Sequence, residues 1–434
     1  MPIVTHRGES GVVKRARARG DTVGDAMVTP APLAFDVQQR IAAIDRQALD
    51  AYRLERVRAE LRRLDYAGAL LADPMNIRYA TGTRNMAVWT MHAPGRYAFI
   101  ATEGPVVLFE FASSRHVVDG APMVDELRPS TPWFYFLAGP RTAEKAAIWA
   151  EEVVGLVARH GGGNRRLAVD RCEPSGTQRL IAAGIELFDA QEALEVARAV
   201  KSREEIACLQ LSMDVCDVGI ARIREALRPG LTENQLWSLL HEANIAHDGE
   251  WIECRLLASG GRTNPWFQEC GNRVIGAGEL VCFDTDMVGP CGYLADVSRS
   301  YVCPGRKPSD AQRRLYDLAQ EQVRHNMSLL RPGLTFREFG EKCWSVPDAF
   351  VPNRYMMMVH GVGLVDEYPS IAYAEDYPSW GYDGAFAKDM VVSVESYIGE
   401  RGGAEGVKLE QQVLVTESGA KPFSKAPIED ALEI

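Results

Sequence analysis

Leu54, Val57 and Leu61 recur at helical spacing with Arg and Glu between them, predicting a helix that starts near Arg46. Ala69-Leu70-Leu71-Ala72 is a short apolar run of the kind a buried strand makes. Further strand patterns lie at 97–102 and 105–109. Helical stretches near 141–160 and 174–183 surround another strand pattern at 167–170. This alternation predicts a smaller α/β domain over residues 49–195. Residues 1–48 mix Gly, Pro, Arg and Asp without periodicity and read as an N-terminal arm.

The pattern changes in the second half. A helix runs from about Glu204 to Leu227 and stops at Pro229-Gly230, and another follows Thr232-Glu233-Asn234. Strand patterns dominate near 252–258, 279–287 and 293–302. Two helices lie within 308–347, and strands return near 389–398 and 406–416. Residues 196–434 thus read as an α+β domain, with helices grouped between antiparallel strands.

Composition narrows the function classes. The 434 residues are 46% apolar and 25% charged, so a sizeable core is available. A net charge of −11 argues against a general nucleic-acid binder. Nine cysteines, an odd number with no CxxC pair, read as reduced thiols of a cytoplasmic protein. No apolar run reaches the roughly 18–20 residues of a membrane helix. The basic patch Lys14-Arg15-Ala16-Arg17-Ala18-Arg19 has no apolar segment after it and reads as a solvated arm, not a secretory signal.

The candidate chemistry lies in the second domain. In Val281-Cys282-Phe283-Asp284-Thr285-Asp286, strand alternation puts Asp284 and Asp286 on one face. Gly289-Pro290-Cys291-Gly292 predicts a turn that brings Asp296 back beside them. Three half-buried carboxylates repel one another, and two divalent cations would remove that cost. Glu395 sits in the apolar strand Met390–Glu395, a poor place for an unpaired charge. Glu410 precedes the β-rich run Val413-Leu414-Val415. His360 precedes Gly361-Val362-Gly363, whose glycines point to a close backbone approach. Carboxylates with one imidazole suit paired Mn, Fe, Co or Zn.

The stretches FDTDMVGPCGYLADVSRSY (283–301), HGVGL (360–364), VVSVES (391–396) and GVKLEQQVLVTESG (406–419) resemble the creatinase and aminopeptidase P family. So do PGLTENQL (229–236), LASGGRTNPWF (257–267) and VKSREEIACL (200–209). That resemblance implies a pita-bread catalytic domain behind a creatinase-like N-terminal domain. It also implies Asp284, Asp296, His360, Glu395 and Glu410 as metal ligands.

Three departures separate the chain from the family's peptidases. Asp286 stands where glycine is usual, and so adds a sixth candidate ligand. Pro265-Trp266-Phe267 replaces a Pro-His-Tyr-like segment, and Asp366-Glu367-Tyr368-Pro369 replaces a His-Glu-x-Pro segment. Two histidines used in peptide hydrolysis are thereby lost, and a carboxylate base and an aromatic face are gained. Such a pocket suits a zwitterion carrying an onium group and a carboxylate.

The combination resembles the branch of the family that cleaves dimethylsulfoniopropionate to dimethyl sulfide and acrylate. The likeness implies Asp366 as the base of a β-elimination, a homodimer, and two divalent ions, iron first. It also places Tyr355 near the substrate. Trp266 and Trp89 are the other candidate substrate contacts. The competing readings are a divergent proline-specific peptidase or creatinase-like hydrolase, and a non-catalytic binding module. Neither nucleic acid nor a membrane is an expected partner.

Overall fold

The structure, a computed structural model, describes residues 35–428 and 432. Most of the expected arm lies outside these residues. Its described end is helical: Asp36 caps the helix Val37–Ala42 and Asp45 caps the helix Arg46–Arg63, each accepting a backbone N–H of the first turn.

Six strands form the first sheet: β1 (Gly68–Leu71), β2 (Tyr97–Ala101), β3 (Val106–Glu110), β4 (Glu126–Pro129), β5 (Arg166–Val169) and β6 (Glu186–Asp189). Their order is β4-β3-β2-β1-β5-β6. β1 pairs antiparallel with β2 and parallel with β5, so the sheet is mixed. Leu70, Phe99 and Phe109 build its core with Trp149, Val153 and Leu156 of the helix Thr142–His160.

The second half holds three more sheets. β7 (Trp251–Ile252), β10 (Met287–Val288) and β11 (Leu294–Ala295) form one, in the order β11-β10-β7. β8 (Leu257–Ser259), β9 (Leu280–Asp284) and β12 (Ser298–Val302) form another, in the order β12-β9-β8. The largest comprises β13 (Val359–Val362), β14 (Asp366–Ile371), β15 (Val391–Ile398), β16 (Val407–Thr416) and β17 (Gly419–Pro422). Its order is β14-β13-β15-β16-β17, antiparallel throughout. The expected mixture of helices and antiparallel strands is therefore present. Among the described residues no helix is long and apolar enough to cross a membrane.

Buried charges tie the parts together. Arg78 makes a bidentate pair with Glu250 and also donates to the Cys291 carbonyl. Arg53 donates to the Tyr293 hydroxyl, which in turn donates to Glu205 at 2.9 Å. Glu367 on β14 is enclosed by Lys201 at 2.9 Å and Arg198 at 3.3 Å, at the start of the second domain. Between β12 and β16, the wholly buried Arg299 donates to the carbonyls of Glu410 and Ala426 and to the side chains of Gln411 and Ser424.

Candidate metal centre and catalytic cleft

Glu395 and Glu410 face each other directly across the β15–β16 ladder, and His360 pairs with Ser393 one strand over. Like charges opposite one another destabilise a sheet. The pair therefore calls for cations to offset it. The imidazole Nε2 of His360 lies 3.3 Å from Glu395 Oε1, 3.4 Å from Asp296 Oδ2 and 3.6 Å from Glu410 Oε1. Its Nδ1 is 3.2 Å from the Gly361 carbonyl. A hydrogen bond there fixes the tautomer and turns Nε2 towards the carboxylates.

The glycines beside His360 serve the neighbouring strand. A Cβ on Gly361 would meet the carbonyl of Tyr368, and one on Gly363 would meet the Glu367 carboxylate. The register shifts between His360 and Gly361, where β13 presses against β14. The close approach expected from sequence is thus to β14.

The three aspartates converge by another route than simple alternation. Asp284 ends β9, and Ser298 pairs opposite it. The chain then leaves that sheet, with Asp286 at φ 32°, and re-enters pairing at Met287 in a different one. Asp286 and Asp296 both lie in the gaps between strands. A left-handed Asp is tolerable because its short side chain can bond locally. One oxygen from each of Asp284, Asp286 and Asp296 can be chosen so that all three lie within 4.8 Å of one another. Donor atoms of Asp296, His360 and Glu410 do the same. Asp296 is common to both sets.

This donor set fits cations. Asp296 Oδ1 and Glu410 Oε1 are buried and, among the described residues, have no hydrogen-bond partner. Burial, reinforced by the Glu410 charge, pushes the Asp284 and Asp296 carboxyls well above the usual range. Burial and then Asp366 push Asp286 up to about 7. Burial disfavours a charged His360, but Asp366 and the two glutamates outweigh it and raise its pKa well above the ordinary value. Burial also raises Glu395, whereas Lys408 and His360 overcome burial and hold Glu410 well below the usual range; divalent ions would relieve the repulsion that raises the others. Carboxylate oxygens with a single imidazole nitrogen are chemistry shared by Fe, Mn, Co and Zn.

Sequence reasoning missed Lys408. It lies two residues before Glu410 on β16, so alternation puts both on one face, which was a legible signal. Its ammonium is wholly buried, 2.6 Å from Glu395 Oε2, 3.1 Å from Glu410 Oε2 and 3.2 Å from Asp284 Oδ2. Ser298 accepts from it at 2.6 Å and donates to Asp284 and Glu410.

Asp366 opens β14 opposite Val362, with Oδ1 3.4 Å from His360 Nδ1. Its side chain is 61% exposed, unlike those of the ligand candidates. The surrounding protein still withdraws enough water to raise its pKa. His360 opposes that rise, while Glu410 and Glu367 add to it.

The aromatic candidates divide. Tyr355 lies between Phe267, 5.3 Å away and stacked, and the Lys408 ammonium, 4.7 Å from its ring centre. Trp266 is buried against Tyr397, with Lys408 at 5.9 Å. Its ring thus already lies beside a resident cation. Trp89 packs on Phe111 and lines a surface groove with Glu250 and Trp251. Within its own chain it is not part of the carboxylate cluster.

Residues 207–417 match the Metallopeptidase family M24, and residues 53–200 match the Creatinase/Prolidase N-terminal domain. The chain is 37% identical over 430 residues to the dimethylsulfoniopropionate lyase DddP of Roseovarius nubinhibens, covering 96% of each. The chain belongs to the creatinase-like M24 metalloenzyme family. Its DddP counterpart from Roseobacter denitrificans is likewise 37% identical over 96% of both chains. Among solved structures, the fold is shared with the Xaa-Pro dipeptidase of Bacillus anthracis. That likeness has a TM-score of 0.71 at 20% identity and covers 88% of this chain and 99% of that one. The two donor triads sharing Asp296 are candidate ligands of the kind a family M24 metalloenzyme carries.

Proposed function

We propose that this chain is a dimethylsulfoniopropionate lyase, a metal-dependent enzyme releasing dimethyl sulfide and acrylate. One observation carries the reading. A solvent-open carboxylate, Asp366, stands 3.4 Å from the imidazole of a buried five-carboxylate cluster, in a chain with DddP likeness over 96% of its length. Asp284, Asp286, Asp296, His360, Glu395 and Glu410 would hold two divalent ions, iron first, with Mn, Co and Zn served by the same donors. Such ions, when bound, would hold the substrate carboxylate and acidify the hydrogens on the adjoining carbon.

Asp366 takes one of those hydrogens as a proton. The electron pair of that C–H bond becomes the new C=C bond. The C–S bond breaks with its pair on sulfur, so the sulfonium leaves as neutral dimethyl sulfide. The raised pKa of Asp366 makes it a stronger base than an ordinary aspartate. Tyr355 and Trp266 supply π faces for the onium group. Trp89 contributes in this reading through a homodimer, where a partner subunit would bring another surface to its groove. The enzyme is read as cytoplasmic.

Headspace gas chromatography of the metal-loaded protein with dimethylsulfoniopropionate tests the proposal. Asp366→Asn should lower turnover by about 10²–10⁴-fold while elemental analysis finds the metal content unchanged. No dimethyl sulfide from the parent, together with hydrolysis of an X-Pro dipeptide, would overturn it in favour of a peptidase.

A further inference from the structure

Lys408 is a positive charge sealed inside a site already assigned to cations. It takes the Oε2 atoms of Glu395 and Glu410, whose Oε1 atoms face His360 Nε2. It also takes Asp284 Oδ2, leaving Oδ1 to Ser298. The ammonium therefore sits on the far oxygens of three ligand candidates; Glu395 and Glu410 keep their near oxygens turned to His360 Nε2, and Asp284 Oδ1 accepts from Ser298. Asp286 lies within its electrostatic reach.

The charges set out what this does. Asp284, Asp286, Asp296, Glu395 and Glu410 carry five negative charges, and two divalent ions supply four positive ones. One negative charge would remain in a buried site, where an uncompensated charge costs several kcal/mol. Lys408 cancels it. Without Asp286 the same centre would carry an excess positive charge.

We propose that Lys408 is the permanent third cation of the metal centre and the charge counterpart of Asp286. It keeps the loaded site neutral, so that a substrate or product carboxylate enters without repulsion. The proposal rests on the two-ion reading of the site. It makes Lys408 a positioning residue for the anion and sets the sign of its influence on metals.

Two binding measurements test it, neither needing turnover. Apo-protein competes with a chromophoric chelator for Mn²⁺ and Zn²⁺. Metal-loaded protein is titrated with acrylate and with propionate by calorimetry. Lys408→Met should bind both metals about tenfold more tightly and acrylate about tenfold more weakly. Lys408→Arg should restore both affinities. Asp286→Asn should weaken metal binding and tighten acrylate, and Asp286→Asn/Lys408→Met should return acrylate to within about threefold of the parent.

Weaker metal binding by a folded Lys408→Met protein would overturn the proposal and leave Lys408 as a strut for its carboxylates. If that variant does not fold, Asp286→Asn decides: acrylate affinity unchanged or lowered also overturns it. Failure of the lyase reading is separate. It would show as no dimethyl sulfide release with the acrylate and propionate shifts intact.

Discussion

Glu367→Gln tests how the cleft is held to the rest of the protein. The side chain is 1% exposed, and its carboxylate accepts from Lys201 Nζ, with Arg198 Nε 3.3 Å away, and from the Leu364 N–H at 2.9 Å. The cationic partners are equally buried, and Arg198 continues to Asn76, which holds Asp170. Glutamine keeps the volume but removes the anion. Its carbonyl can serve one of the three donors, while its NH2 group is turned against a cation. Breaking a buried pair from one side costs about 3–5 kcal/mol, because a charge is left unpaired. Lys201 loses its carboxylate partner while Arg198 keeps Glu195, so the lower part of that range is expected.

Urea unfolding followed by tryptophan fluorescence and far-UV circular dichroism should show the loss as a lower midpoint. Lys201→Met combined with Glu367→Gln should recover most of it, because the cation left without a carboxylate is gone. Strand alternation fixes Asp366 opposite in direction to Glu367. Turnover should therefore fall even at temperatures where the variant remains folded. A Glu367→Gln protein within about 1 kcal/mol of the parent would refute the reasoning.

Trp266→Ala should raise KM by the equivalent of about 0.5–2 kcal/mol if the ring contacts the onium group. Unchanged KM with lowered stability would assign the ring to packing on Tyr397 alone. The Cys291 thiol is brought down to about 7, chiefly by the hydrogen bond from Cys208, with Arg46, Arg78 and Arg53 adding to it. A lowered pKa means more thiolate near neutrality, so iodoacetamide labelling of Cys291 should rise with pH through a midpoint near 7. In Cys208→Ser, which replaces the thiol donor, that midpoint should move. An unmoved profile would show that the arginines set it. Chelation of bound metal should lower the melting temperature, because Glu395 and Glu410 are directly opposed and ions that bind only the folded state stabilise it. Restoring Mn²⁺ should reverse the loss. Equal melting temperatures with and without metal would count against ions at this site.

Much of the site was legible because it lies on strands. A carboxylate within a continuous apolar strand, as at Glu395, announces a partner, and pairing puts Glu410 against it. Asp286 was brought to the right place by the wrong path. Alternation assumes an unbroken strand, whereas the chain changes sheets between Asp284 and Met287 through a left-handed residue. Local periodicity does not contain that switch. Lys408 was legible by the same alternation that marked Glu410, but a lysine in a polar-looking stretch reads as surface until the burial of the strand is known. The orientation of Trp266 depends on the position of Lys408, a contact 142 residues distant in sequence that no pattern near either residue encodes. The glycines after His360 signalled close approach correctly, but sequence could not tell a neighbouring strand from a substrate.

The buried guanidinium of Arg299 has a bearing on the order of events during synthesis. It follows Ser298, the residue that bridges Asp284, Glu410 and Lys408, yet two of its acceptors, the Ser424 hydroxyl and the Ala426 carbonyl, are more than 120 residues further along the chain. While a nascent chain still has residues 424–426 inside the ribosome, Arg299 lacks those partners and the hairpin bearing three of the acids is held incompletely. The first domain can fold earlier, since domains generally fold as units from the N-terminal side. A chain cut between Glu410 and Ser424 would keep every candidate ligand yet leave Arg299 short of two acceptors, and it should hold metal less tightly than the full chain.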